Sequence, residues 1–293
     1  MKKIEYIDRK TGECVQENPP GEAFLKFLYH NPFGKLPLHL LIKRKMVSSF
    51  YGWLMDQPSS VKKIVPFINE YEINIAEIEK KINEFTSFND FFCRKLMPQA
   101  RPLEAGVVSP ADGKIIAFEE ISDVDNFYIK GIKFKLSAFL GNEKLADKFK
   151  DGSMLIIRLA PNDYHRFHFP CDGEPSDCVK INGNYFSVSP YAVSENFGRV
   201  FCENKREFSI LKTVDKGDVL LCPVGATMVG TIIETYRPHE AVKKGDEMGY
   251  FAFGGSSVVM LFEKGAVNID ADIISNTAKG FETFVRMGER IGE

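Results

Sequence analysis

The sequence predicts an α+β protein in which an N-terminal helical region, residues 1–100, precedes a mainly antiparallel β domain, residues 101–293. Three observations carry this. Apolar residues recur at helical spacing in "INIAEIEKKINEF", where Ile75, Ile78, Ile82 and Phe85 share one face. "PQARPLEAG" then has the composition of a linker. From residue 106 the chain changes to short β-rich runs punctuated by turn residues, a spacing that favours an antiparallel or mixed sheet over a βαβ repeat.

The opening "MKKIEYIDRKTGE" has a basic start but no apolar core, so it does not read as a signal peptide. Residues 21–69 hold seven lysines and arginines against Glu22 and Asp56, interleaved with "FLKFLY", "LPLHLLI" and "FYGWLM". Such a pattern suits a helix lying in a membrane interface, and equally a helical subdomain with a solvated basic face. No apolar run approaches the ~18–20 residues that a spanning helix needs. "TSFNDFFCRKLMP" reads as a further helix with Thr86 or Ser87 as cap and Pro98 as stop. "LSAFLGNEKLADKFKDG" is a helix between strands. The β-rich runs include "GVVSPADGKIIAFEE", "MLIIRLAPNDYHRFHFP", "RVFCENKREFSILKTV", "DVLLCPVGATMVGTIIETY" and "MGYFAFGGSSVVMLFEKG".

With 44% hydrophobic and 27% charged residues over 293 positions, the chain can fill a sizeable core. A net charge of −2 gives no signature for nucleic acid. The six cysteines never fall in a C-x-x-C spacing, which favours free thiols in a reducing compartment.

Three short segments could do chemistry. "GGSS", residues 254–257, interrupts a strand with two glycines immediately before two hydroxyls. With no Walker lysine and no helix signalled, a phosphate-cradling loop is a weaker reading, and the missing G-x-S-x-G frame excludes a hydrolase elbow. A turn or bulge is the plain reading. A serine hydroxyl can also attack the carbonyl before it, and β-elimination of the resulting ester cuts the chain and leaves a pyruvoyl group. Glycine before the serine supplies the bendable backbone and the uncrowded carbonyl. Of the two bonds, Gly255–Ser256 is preferred over Ser256–Ser257, because Ser256 would crowd the second carbonyl; Ser257 is then expected to hydrogen-bond within the site. "APNDYHRFHFP" packs His165 and His168 into four residues, and Pro161, Asn162 and Asp163 suggest a helical turn that would bring them together. Cys171 extends the spacing to H-x-x-H-x-x-C, but no fourth ligand is signalled and no metal is expected. "SPADGKI" places Asp112 at a turn, where it could equally orient a histidine.

Together these segments resemble the phosphatidylserine decarboxylase family. "VVSPADGKI" is similar to its V-S-P-x-D-G block, and "LAPNDYHRFHFP" to its L-x-P-x-D-Y-H-R-x-H-x-P block. "VGATMVGTI" is similar to V-G-A-x-x-V-G-S-I, and "GGSSVVMLF" stands where the family has L-G-S-T or G-G-S-T. The blocks keep family order, and the likeness extends over roughly residues 20–270. It implies a proenzyme that cuts itself between Gly255 and Ser256 into a large chain (1–255) and a small chain (256–293), with Ser256 becoming the covalent pyruvoyl cofactor. The mature enzyme would decarboxylate phosphatidylserine to phosphatidylethanolamine through a Schiff base. By the same resemblance Asp112 orients His168, His168 takes the serine proton, and His165 serves the mature enzyme. Ser257 departs from the family's threonine. "VKKGDEMGYFAFGG" also resembles the turn-and-strand pattern of lipoyl- and biotin-carrier domains, without their lysine.

The expected partners are phosphatidylserine in an anionic membrane and the two chains of one precursor; a homo-oligomer is left open and nucleic acid is not expected. The expected location is peripheral, on the cytoplasmic face of the cell membrane. The alternatives are a pyruvoyl decarboxylase of a soluble amino acid, and an uncleaved β module that binds membranes.

Overall fold

The computed structural model describes residues 4–17, 45–124, 134–184, 186–188, 190–226, 231–252, 254 and 256–293. Residues 21–44 of the expected membrane-facing stretch, part of "VGATMVGTI" and Gly255 lie outside the described residues.

The chain begins with a hairpin, β1 (Glu5–Asp8) and β2 (Cys14–Gln16), where residues 1–100 were expected to be helical. Helices follow: α1 (Lys45–Asp56), α2 (Ile64–Tyr71) and α3 (Phe88–Phe92). Ser87 caps α3 as expected, its hydroxyl accepting from the Asp90 amide. The periodic segment "INIAEIEKKINEF" forms two 3₁₀ turns, Ile75–Glu77 and Ile82–Glu84, instead of a helix. The reason lies in the backbone: Glu79 donates to the Lys95 carbonyl and Met97 to the Glu77 carbonyl, so these groups serve a bridge rather than an i−4 ladder. The helical face still reaches an apolar cluster of Met55, Ile64, Ile78, Phe85, Phe88, Phe91 and Phe92.

From residue 107 the strands dominate. β3 (Val107–Val108), β4 (Gly113–Phe118), the short helices α4 (Leu136–Leu140) and α5 (Glu143–Phe149), and β5 (Ser153–Leu159) come first. β6 (Arg166–His168), β7 (Glu174–Pro175), β8 (Val179–Ile181) and α6 (Pro190–Glu203) follow. β9 (Arg206–Lys212), β10 (Asp218–Gly225), β11 (Ile232–Glu234), β12 (Glu247–Phe251) and β13 (Ser256–Phe262) lead to α7 (Ala271–Ala278), β14 (Glu282–Val285) and β15 (Arg290–Gly292).

The main sheet runs β2-β1-β14-β4-β5-β13-β10-β9-β7, with β8 also on β9. Every pairing in it is antiparallel except β1 with β14. β11-β12-β6 form a smaller sheet and β15-β3 a ribbon. The fold is therefore mixed α and β around one large, mostly antiparallel sheet.

Both faces of that sheet are covered, which explains why its central strands read as continuous apolar runs. Alternate residues separate cleanly: Ile115, Ile157, Val258 and Met260 face one cluster with Phe167 and Phe251 of the small sheet. Ile116, Ile156, Val259 and Leu261 face the other, with Phe139, Phe149, Phe197 and Phe201 of the helices. The "GGSS" break falls where the chain leaves the small sheet at Phe251 and enters the centre of the large one at Ser256.

Candidate active site

Ser256 is the first residue of β13, opposite Leu159 on β5 and Gly225 on β10, and is fully buried. Alternation along the strand aims it at the face carrying Val258 and Met260, toward the small sheet. Ser257 points to the opposite face. Its hydroxyl, expected to hydrogen-bond within the site, has no hydrogen-bond partner among the described residues. Gly254 has φ +135°, a conformation that a side chain would strain.

The residue that meets Ser256 is His165. Its Nδ1 lies 3.3 Å from the serine Oγ, and its Nε2 lies 3.0 Å from the Ala160 carbonyl. A carbonyl only accepts, so Nε2 carries the proton and Nδ1 is the bare acceptor for the serine hydroxyl. Burial holds the His165 pKa down to about 3, and the charges of Arg94 and Lys114 push the same way. The imidazole is neutral and stacks on Phe92 of α3, ring centroids 4.0 Å apart.

His168 lies elsewhere. Residues 161–163 turn, but the chain then runs extended into β6, so the expected helical turn that would bring the two histidines together is absent. In extended backbone, residues three apart face opposite ways. His168 donates from Nδ1 to the Gly245 carbonyl at 2.9 Å and accepts at Nε2 from the Tyr164 hydroxyl at 3.1 Å. Burial lowers its pKa, while the Gly245 carbonyl and the charges of Glu247 and Asp112 oppose that.

Asp112 immediately precedes β4. Its carboxylate takes a fork from Arg101 at 2.6–3.2 Å and the Met287 amide at 2.8 Å. Arg101 also holds Glu77 at 2.8 Å. The expected Asp112–His168 and His168–Ser256 contacts are thus not formed; Asp112 reaches His168 through its charge alone. Beside them Lys114 and Asp163 form a buried pair at 2.9 Å, and Asp163 accepts from the Ala160 amide at 2.7 Å, which fixes the turn that carries His165. Burial pushes the Asp163 carboxyl up against the pull of Lys114.

Phe92, Tyr164 and Arg101 belong to this constellation and were not singled out from the sequence. All three sit inside segments whose motifs were visible, but nothing in the local pattern marks a stacking or pairing partner. Among the described residues one group has metal-ligand reach, Cys178, Glu207 and Glu234, on and next to β8, β9 and β11 rather than β5 and β13. Lys180 and Lys205 already pair with Glu207 at 3.3 and 3.2 Å, so it reads as an ion-pair cluster. All six cysteines are free.

A buried serine hydroxyl on an unprotonated imidazole nitrogen, after a glycine-bent connection, is the arrangement of an activated nucleophile. A family model described as phosphatidylserine decarboxylase matches residues 88–293. A phosphatidylserine decarboxylase proenzyme of Fusobacterium nucleatum subsp. nucleatum is 53% identical, over 100% of this chain and 98% of that protein. Proteins of the same description from Clostridium novyi and Desulfitobacterium hafniense are 47% and 45% identical, each over 99% of this chain and 99% and 98% of their own length.

Proposed function

This chain belongs to the phosphatidylserine decarboxylase family, and from that premise we propose that it is a self-processing enzyme that removes CO2 from the serine headgroup of phosphatidylserine. The observation that carries the reading is the buried Ser256 hydroxyl resting on the acceptor nitrogen of the buried His165.

Maturation begins with Ser256. Its oxygen adds to the Gly255 carbonyl carbon, the C–N bond breaks, and an ester replaces the amide. Loss of the Cα proton of residue 256 then expels the Gly255 carboxylate and leaves dehydroalanine, whose hydrolysis releases ammonia and leaves a pyruvoyl group on the small chain, residues 256–293. That group supplies a ketone that takes up the substrate's primary amine and draws electrons from the carbon losing CO2. The residues present fit it, because residue 256 is buried, faces an imidazole and starts a strand at the centre of the sheet.

The two histidines divide the work. His168, which feels the carboxylates Asp112 and Glu247 as well as the cation Arg166, is assigned to maturation with Asp112 behind it. To act it must leave the Gly245 carbonyl and the Tyr164 hydroxyl. His165, among cations, stays neutral, positions the serine hydroxyl in the precursor, and exchanges protons with the substrate in the mature enzyme.

Substrate access is proposed from the peripheral, cytoplasmic side of the membrane. Phe50 and Trp53 of α1 stack on each other at 5.9 Å while 61% and 56% exposed, with Lys62, Lys63 and Val65 also exposed close by in sequence. Among the described residues no helix is long and apolar enough to cross a membrane. The kinship of the β architecture with carrier domains belongs to the same reading.

The test is direct. Purified protein should give two chains whose masses sum close to the 33.1 kDa precursor, and should release CO2 from phosphatidylserine in detergent. A folded, uncut chain without that activity would overturn the reading.

A further inference from the structure

Arg94 follows α3 and is only 5% exposed. Its Nη2 donates to the Asn162 and Asp163 carbonyls at 3.1 and 3.3 Å, and its guanidinium lies over the Phe91 ring at 5.2 Å. Its Nε and Nη1 have no hydrogen-bond partner among the described residues. A buried cation with unpaired donors is costly unless an anion completes it. No carboxylate does so: Asp163 is taken by Lys114 and Asp112 by Arg101.

Arg94 lines two clefts. One, of about 290 Å³, carries more acids (Glu72, Glu77, Asp112 and Asp163) than arginines (Arg94, Arg101 and Arg286). The other, of about 110 Å³, is lined by Arg94 with Lys80, Lys95 and Arg166 against Glu79 and Asp90, an excess of positive charge. Asp90 is itself bound to Lys80 at 3.0 Å. This second cleft adjoins the reaction centre through the backbone: Phe92 stacks on His165, and the neighbouring Cys93 thiol donates to the Phe251 carbonyl, at the end of the strand that leads to Ser256.

We propose that Arg94 binds the phosphodiester of the phospholipid headgroup in this cleft and so sets the enzyme's preference for a phosphorylated serine. The inference rests on the decarboxylase reading above. Phosphodiester and carboxylate are both anions of the substrate, and the chemistry separates them. The carboxylate loses its charge as CO2 forms, so a guanidinium holding it would stabilise the ground state more than the transition state and slow the step. The phosphodiester keeps its charge throughout, so binding it lowers KM without cost to kcat.

The experiment compares wild type with Arg94→Gln and Arg94→Lys. Self-cleavage into two chains reports folding, and kinetics use phosphatidylserine in mixed detergent micelles. Arg94→Gln should be cut normally, raise KM roughly 10- to 100-fold, as loss of a charged hydrogen bond does, and change kcat little. Inhibition of the wild type by glycerophosphoethanolamine should weaken in the variant, while ethanolamine should act equally weakly on both. An unchanged KM, a fall in kcat at constant KM, or equal inhibition of both proteins by glycerophosphoethanolamine overturns the proposal. If Arg94→Gln stays uncut, Arg94→Lys, which keeps the charge, carries the test; if both stay uncut, Arg94 is a folding residue and the proposal falls. A wild type that leaves phosphatidylserine untouched defeats the functional reading instead, and direct calorimetric binding of glycerophosphoethanolamine to wild type and Arg94→Gln still decides the role of Arg94.

Discussion

The Ser256 hydroxyl and the His165 imidazole stand 3.3 Å apart, and the Ala160 carbonyl on the other ring nitrogen decides which of the two carries the proton. Hydroxyl and acceptor are therefore oriented before any chemistry. Ser257, one residue later, faces the helices and meets no such group. The strand's alternation thus selects between two adjacent hydroxyls that the sequence separates only by the crowding of their target carbonyls.

Ser256→Ala should leave one intact chain. Ser257→Ala should still yield chains 1–255 and 256–293, because its hydroxyl lies on the wrong face. Intact-mass spectrometry reads both outcomes, and a large chain ending at Ser256 would reverse the choice.

His168→Ala should accumulate precursor, and so should Asp112→Asn, since both act on the maturation base. His165→Ala should be cut, though more slowly, and lose most of its turnover. A time course on denaturing gels, paired with CO2 release, separates the two histidines. Unimpaired cutting of His168→Ala beside an uncut His165→Ala would move the base to the residue already touching the serine.

Arg101 and Asp112 are 9% and 6% exposed at their side chains. Arg101→Gln leaves a buried carboxylate short of its fork, a change that costs about 3–5 kcal/mol. Urea denaturation in a Ser256→Ala background, where cutting cannot interfere, should show that loss; a midpoint within error of the parent would mean Asp112 is satisfied without Arg101.

Acid should destabilise the precursor through His165. Its folded pKa is about 3 and its unfolded value about 6.5, so between these the unfolded chain binds the extra proton. Stability from this group is complete above pH 6.5 and falls by about 1.4 kcal/mol for each unit down toward pH 3. Replacing His165 by Gln in the Ser256→Ala background should flatten the slope of stability against pH between 6.5 and 4. An unchanged slope would show that the histidine is not held neutral.

Membrane binding should depend on both apolar and basic contacts of the helical region. Trp53→Ala should bind phosphatidylserine vesicles several-fold more weakly. Raising salt from about 0.1 to about 1 M, which shortens the screening length from about 10 to about 3 Å, should do the same. Sedimentation with vesicles that is indifferent to both changes would place the docking surface elsewhere.

The sequence displayed the pieces of the site better than their assembly. Ser256, His165 and the turn at Asp112 stand out because glycines, paired histidines and a turn dipeptide are local signals. The Arg101–Asp112 pair was hidden because Arg101 falls in a segment with the composition of a linker. The hairpin at residues 5–16 was missed for a similar reason: its partner, β14, lies more than 270 residues along the chain. Ile75–Phe85 misled because helical spacing also serves two separate turns whose backbone is engaged by residues 95–97. Continuous apolar strands were readable, but which face each residue took needed the register.

One consequence follows from the strand order. β13 is flanked by β5 and β10, β14 by β1 and β4, and β15 by β3. Cutting before Ser256 would therefore place every strand of the 38-residue small chain against strands of the large chain. Such a fragment cannot leave without dismantling the sheet, and no fresh copy can take its place. Each molecule would carry a single, non-renewable reactive group for its lifetime, and damage to that group would retire the whole protein.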